Sequence, residues 1–215
     1  MRATLIGATG LIGGHLLELL LKDDYFDVVR LLVRRSFEQE HPKLEKKLVN
    51  FADKENFRPA LDGSNVIFCA IGTTQKKVKG NKAEYRKIDY DIAVNAAQLG
   101  KLCGCEIFVL VSSIGANSRS NNFYLRLKGE TEDAVRSAGL QSVHIMQPSM
   151  LLGHRKEYRL GERIGTPVMK FLSFLLPSRY KPIQARDVAK AMTEVAKKKE
   201  EGVFIYTFKE IKKMI

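Results

Sequence analysis

The sequence predicts an α/β fold with a doubly wound parallel sheet, and three observations carry that expectation. The chain opens with an apolar run, Ala3 to Ile6, that breaks into a glycine turn and then into a leucine-rich segment, Gly14 to Leu21, which reads as strand, turn and helix. Further apolar runs at 28–33, 65–71, 106–111 and 142–146 alternate with segments of helical periodicity. The run Glu106 to Val111 is almost wholly apolar, as a central parallel strand buried on both faces should be. A length of 215 residues suits one such domain with a sizeable core and is too short for a large second one.

The glycine turn sets the first expectation about chemistry. Gly7-Ala8-Thr9-Gly10-Leu11-Ile12-Gly13 puts one glycine at the end of the strand, one where backbone must approach a ligand, and one where the first helical turn packs on the sheet. Unpaired N–H groups and the positive end of the helix dipole then face an anion without any side-chain charge. A dinucleotide pyrophosphate is the leading candidate, and a turn that serves only close packing is the alternative.

The second strand, Val28 to Val33, ends in Arg34-Arg35. In this architecture that strand end lies beside the adenosine ribose, where an acidic residue would receive the 2′-hydroxyl of NAD and repel a phosphate. A planar guanidinium pairs bidentately with a phosphate, so NADP(H) is expected in preference to NAD(H). The alternative is a solvated basic pair.

A polar connection, Ser36 to Lys47, leads to a short strand expected over Leu48 to Phe51, with Asn50 and Phe51 near the adenine. The strand over 65–71 closes on Gly72-Thr73-Thr74, so that Ala70, Ile71, Gly72 and Thr73 are candidates to line the ribose or nicotinamide; a plain strand-end turn is the other reading. Lys76, Lys77, Lys79 and Lys82 follow in a loop that is either solvated surface or a grip on an anionic substrate or nucleic acid backbone. Ala83 to Leu99 reads as a long helix with Ile88, Ile92, Val94, Ala96 and Leu99 inward, and Tyr85, Asp89 and Tyr90 at the surface or in an interface. A helix over Asn122 to Ala138, a strand over Ser142 to Met146 and a turn at Gln147-Pro148-Ser149 continue the rhythm. A helix over Asp187 to Lys197, with Val188, Ala191, Met192 and Val195 inward, and a closing strand over Gly202 to Phe208 complete it. Lys197-Lys198-Lys199 reads as a solvated helix end.

Composition narrows the function classes. A formal charge of +12, from 36 basic and 24 acidic residues, favours anionic ligands. No aromatic ladder or helix-turn-helix signal supports specific nucleic acid binding. Cys69, Cys103 and Cys105 suit reduced core thiols, and the pair one residue apart lacks the partner set a metal needs, so no metal site is expected. No apolar run approaches the ~20 residues that span a bilayer and no secretory signal is evident, which points to a cytoplasmic protein with no stable membrane insertion.

Tyr124 lies eleven residues beyond Ser113, and Lys128 four beyond that, which puts both side chains on one helix face. A phenol is a poor acid or base at neutral pH, but a neighbouring ammonium and a cationic nicotinamide favour its phenolate. Lys128 would tune Tyr124 as proton donor or acceptor, while Ser112 or Ser113, at the end of the preceding strand, holds a substrate carbonyl oxygen. A strand running straight through turns the two serines to opposite sides and leaves the choice between them open.

Gly7 to Gly13, Arg34-Arg35, Ser112-Ser113 and Tyr124 to Lys128 together resemble an atypical short-chain dehydrogenase/reductase. The resemblance continues through Pro148, Leu151-Leu152-Gly153 and Gln184 to Ala189. Cys69 to Thr74 and Asn122 to Glu130 make the chain similar to the oxidoreductase group of the human Tat-interacting protein. The resemblance implies a single Rossmann-like domain over 1–215, with a cofactor-binding core at 1–150, a small C-terminal region over 151–200 that mostly covers the substrate side, and a closing strand at 202–208. It also implies NADP(H) binding, a Ser-Tyr-Lys site, and Pro148 among the cofactor contacts. Two positions depart from the family pattern: Asn50 stands for an aspartate that bonds the adenine amine, and Gln147 stands for an arginine before the proline.

The charged run His154 to Arg163 is placed by the same resemblance over the cleft, where Arg155, Arg159 or Arg163 meets a phosphate or an acidic substrate, or pairs at the surface. Val168 to Leu176 reads as a helix packed on the domain, with a homodimer surface, an apolar substrate wall or a membrane contact as alternatives. The expected function is an NADP(H)-dependent reductase of a small carbonyl, or oxidant of an alcohol. The alternative is a cofactor-binding regulator that meets a protein partner through Val168 to Leu176.

Overall fold

The computed structural model describes residues 1–153, 177–198 and 200–215. Seven strands form one parallel sheet: β1 (Arg2–Ile6), β2 (Val28–Val33), β3 (Leu44–Leu48), β4 (Val66–Cys69), β5 (Ile107–Val111), β6 (Ser142–Met146) and β9 (Gly202–Tyr206). Their order is β3-β2-β1-β4-β5-β6-β9, so the chain winds outward from β1, then returns to lay β4 beside it. The direction of winding reverses between β1 and β4, and a ligand crevice opens at the carboxyl ends of strands at such a point. Ile6 and Cys69 are partners in register, so Gly7 and Ala70 leave the sheet side by side at the mouth of that crevice.

Helices cover both faces, as strands buried on two sides require. Leu16 and Leu20 of α1 (Leu11–Lys22) pack with Val188, Ala191, Met192 and Val195 of α6 (Ala185–Lys197) over one face. Burying one such side chain contributes ~1.5–3 kcal/mol, which makes this pair the main clamp on that face. The other face lies under α4 (Ile92–Leu102) and α5 (Phe123–Arg136), with Phe57 of the short helix α2 (Lys54–Phe57) wedged beside them.

Four departures from the sequence expectations have physical causes. The third strand is Leu44–Leu48 rather than Leu48 to Phe51. It is an edge strand, so its interior residues Glu45, Lys46 and Lys47 face polar neighbours, with Arg30 Nε donating to Glu45 Oε2 at 3.0 Å. The long helix is broken into α3 (Lys82–Arg86), a π-helical turn (Lys87–Asp91) and α4. The last strand stops at Tyr206 because Thr207 caps a further helix, α7 (Phe208–Lys213), by bonding Glu210 in both directions. Lys197, expected to be solvated, instead closes on Asp23 at 2.7 Å and ties the end of α6 to the end of α1. A two-stranded parallel ribbon, β7 (Leu151–Leu152) and β8 (Ile183–Gln184), sits beside the main sheet.

Candidate functional site

Gly7 and Gly13 show what the glycine turn requires. Gly7 has φ +96°, and a Cβ there would lie 2.7 Å from the Ala70 backbone. A Cβ on Gly13 would lie 2.1 Å from the Gly7 carbonyl oxygen. These glycines therefore bring strand, helix and β4 into backbone contact, while Thr9 and Gly10 stay exposed at the rim. Gly10 caps α1 without a side chain, so the first-turn N–H groups beside Leu11, Ile12 and Gly13 are left to an anion. Ala8 and Ile12 are buried beneath them.

On the β2–β3 side of the glycine turn, Arg34, Asn50, Phe51 and Asn56 line a pocket of about 450 Å³ with Leu48 and Val49. Phe51 is buried and held edge-on by Phe57, with ring centroids 4.9 Å apart. Asn56 Oδ1 accepts from the Asn50 amide at 2.8 Å, and Asn50 Oδ1 accepts from the Ala52 amide at 3.2 Å. The Asn50 carboxamide nitrogen has no partner among the described residues and is a donor available to an adenine ring nitrogen. The structure brings Arg34 into this group; Arg35 is exposed and does not line the pocket.

On the opposite side of the glycine turn, at the end of β4, Ala70 and Ile71 are half-buried, Gly72 is exposed and Thr73 is buried. The Thr73 amide points inward: it donates to Asp89 Oδ2 at 2.7 Å, and the Thr73 carbonyl accepts from the Tyr85 hydroxyl at 3.1 Å. Asp89 and Tyr85 are thus buried residues of the site rather than surface ones. They lie on the same stripe as Ile92 and Ala96, a signal present in the sequence but hidden by the polar character of Asp89.

Tyr124 and Lys128 occupy the first turns of α5, which Asn122 caps by accepting from the Leu125 amide. Tyr124 is half-buried and Lys128 is buried. Burial alone would push the Lys128 ammonium toward losing its proton; the Asp89 carboxylate at 3.1 Å, with Tyr124 adding to it, reverses that and raises its pKa above the usual lysine value. The loop from Ser113 to Ser120 lies so close over α5 that a Cβ on Gly129 would meet the Ser118 nitrogen at 2.1 Å.

The serine pair divides. Ser112 is buried and its hydroxyl donates to Glu132, whereas Ser113 is half-buried and, among the described residues, makes a long 3.4 Å contact to the Ile114 carbonyl. Glu132 also accepts from Gln147 Nε2 at 2.9 and 3.0 Å and from Arg136 at 3.1 Å. Burial raises the Glu132 pKa against the pull of those donors. Gln147 therefore points to a buried carboxylate that Arg136 also reaches. Pro148 is buried, and its carbonyl accepts from the Ile114 amide at 3.0 Å. Cys69 and Cys105 are buried thiols pushed up to about 11 and about 12 by desolvation, which keeps them protonated and unreactive.

Gly153 rests against the Leu11 side chain, where a Cβ would meet Leu11 Cδ1 at 3.0 Å, so the segment after β6 returns to the glycine turn. The charged run His154 to Arg163, the apolar run Val168 to Leu176 and Lys199 lie outside the described residues.

Comparisons with known proteins identify the family and the fold. A model of the NAD(P)H-binding family matches residues 7–199. The chain is 32% identical to "Protein FMP52, mitochondrial" of Candida albicans over 208 residues, covering 94% of this chain and 90% of that protein. It is 35% identical to "Protein HTATIP2" of Rattus norvegicus over 161 residues, covering 74% and 66%. Among solved structures, UDP-glucose 4-epimerase of Thermus thermophilus in complex with NAD superposes with a TM-score of 0.72 at 18% identity, covering 98% of this chain and 81% of that one. The fungal relatives correct one expectation: several carry the name mitochondrial, which overturns the cytoplasmic location inferred from the sequence. Among the described residues no helix is long and apolar enough to cross a membrane.

Proposed function

We propose, from the premise that this chain belongs to the NAD(P)H-binding family together with its HTATIP2 and FMP52 relatives, that it is an NADP(H)-dependent oxidoreductase of a small-molecule carbonyl or alcohol. The observation that carries the reading is the buried Lys128 one helical turn beyond half-buried Tyr124, in a crevice whose glycine turn brings strand, helix and β4 into backbone contact. The residues present suit the cofactor. The α1 N-terminus receives a pyrophosphate, Arg34 a 2′-phosphate, and Asn50 and Phe51 the adenine, while Ala70 to Thr73 run beside the nicotinamide half. When bound, that group supplies or accepts a hydride.

The chain's own residues do the rest. Tyr124 holds the proton given to the carbonyl oxygen, and Lys128 places a positive charge beside the phenol and a donor toward the ribose. Ser113 orients the oxygen, because the Ser112 hydroxyl is committed to Glu132. Replacing Tyr124 by Phe should cut turnover with NADPH by ~10²–10⁴-fold and leave NADPH affinity within about twofold. A carbonyl screen followed by calorimetry on both proteins checks this, and undiminished turnover by the variant refutes the assignment.

A further inference from the structure

The lysine loop that follows β4 has no part in the chemistry described so far. Residues 63–83 contain four lysines and no acidic residue, and residues 107–129 contain Arg119, Arg126 and Lys128 and no acidic residue. The fold brings these two stretches together beside Tyr124. Lys82 Nζ lies 5.6 Å from the centre of the Phe123 ring, Tyr85 packs edge-on against the same ring at 5.7 Å, and Phe123 precedes Tyr124 at the start of α5. The carboxylates that follow the two stretches are already engaged: Glu84 by Lys87 at 2.7 Å, and Glu130 by Arg86 and, at 3.9 Å, by Arg126. Lys76, Lys79 and Lys82 are exposed, and none of them is paired with a carboxylate among the described residues.

The loop is closed on itself by its own backbone. The Lys77 amide donates to Thr74 Oγ1 at 3.2 Å, the Gly80 amide to the Gln75 carbonyl at 2.8 Å and the Asn81 amide to the Val78 carbonyl at 2.8 Å. Its first residues follow directly on Thr73, whose amide and carbonyl are held by Asp89 and Tyr85. Lys79 adopts a φ of +49°, the only non-glycine residue among those described with a positive φ, in a region where glycine is the usual occupant. A loop built this way holds its ammonium groups beside the crevice instead of trailing them through water.

We propose that Lys76, Lys79 and Lys82 form an anion-binding rim that selects a carbonyl substrate bearing a carboxylate or a phosphate. This rests on the reductase reading above and gives it a substrate class. A crevice edged by charges of one sign raises the local concentration of the opposite ion and orients it on approach. The anionic end of the substrate stays at the rim while its carbonyl reaches Tyr124.

The test uses the full chain, NADPH and two matched pairs of aldehydes: para-carboxybenzaldehyde with its methyl ester, and glyceraldehyde phosphate with glyceraldehyde. Wild-type protein should favour the anionic member of at least one pair ~10-fold in kcat/KM; the larger preference assigns a carboxylate in the first pair and a phosphate in the second. Added salt should erode that preference and leave the neutral member unaffected. Lys76→Gln, Lys79→Gln and Lys82→Gln combined should bring the ratio close to one, with turnover of the neutral member and NADPH affinity changed by less than about twofold. Equal rates on both members of each pair, or a preference that the triple variant keeps, overturns the inference and leaves the reductase reading standing. Should wild-type protein reduce none of these aldehydes, calorimetry on the NADPH-loaded protein separates the two claims. Binding of an anionic aldehyde that the triple variant loses supports the rim without the chemistry, and absence of binding overturns the rim. Binding of a short DNA duplex that the triple variant loses, with no discrimination within either pair, also overturns it and makes the loop a polyanion surface.

Discussion

The two ends of the crevice are built on opposite principles. At the glycine turn nothing charged is present, and Gly7 and Gly13 act by lacking the atoms that would hold strand, helix and β4 apart. At the α5 end the same closeness is reached with buried charge: Asp89 against Lys128, and Glu132 against Ser112, Gln147 and Arg136. A backbone cradle binds an anion with groups that never titrate. A catalytic end needs a proton and therefore needs charges whose burial is compensated on every side. The difference teaches that the first end tolerates no added volume and the second no unpaired partner.

The largest expected break is at the charged end. Glu132→Ala leaves the Ser112 hydroxyl, the Gln147 amide and the Arg136 guanidinium facing a void and should cost ~3–5 kcal/mol of stability, measured by urea unfolding. Gly13→Ala is the matching break at the backbone end. It should cost ~1–3 kcal/mol while weakening NADPH binding far more than Glu132→Ala does, as calorimetry and thermal unfolding would record together. Comparable effects of the two variants on affinity would erase the distinction between the ends.

A pH titration sharpens the comparison with a buried group that belongs to neither end. His144 is fully buried between the Ser142 hydroxyl and the Tyr206 hydroxyl, at 2.9 Å from each, and burial lowers its pKa to about 4. Its neutral form is the folded one, so its contribution is complete above the unfolded value of 6.5 and is lost as pH falls toward 4. The full effect is ~3 kcal/mol. His144→Gln should flatten that part of the stability profile, and an unchanged slope between pH 6.5 and 4.5 would contradict it.

The smallest expected effect separates the two arginines. Arg34→Ala should reduce NADPH affinity ~10-fold or more without altering NADH binding, whereas Arg35→Ala should change either by less than about twofold, because Arg34 and not Arg35 lines the pocket with Asn50 and Phe51. Equal losses from both would place the 2′-phosphate elsewhere.

The glycine turn and the inward stripe of α6 were legible because each follows from local rules. Strand-turn-helix spacing needs no distant partner, and Val188, Ala191, Met192 and Val195 repeat at helical period. The third strand was misplaced because its edge position lets charged residues take strand geometry, so hydrophobicity pointed four residues too late. Asp89 was read as a surface or interface residue because a single carboxylate carries no mark of the ammonium that buries it, which lies on another helix.

The sequence by itself determined the parallel α/β architecture, the glycine turn between strand and helix and the shared face of Tyr124 and Lys128, since these depend on periodicity and on residues within a few positions of each other. Only the tertiary structure decided that Ser112 is bound to Glu132 while Ser113 is left at the loop, that Arg34 rather than Arg35 meets the pocket, and that Asp89 joins Lys128 to Thr73. Those outcomes depend on which side chains meet across elements far apart in the chain, and a buried charge becomes tolerable only where packing delivers its partner.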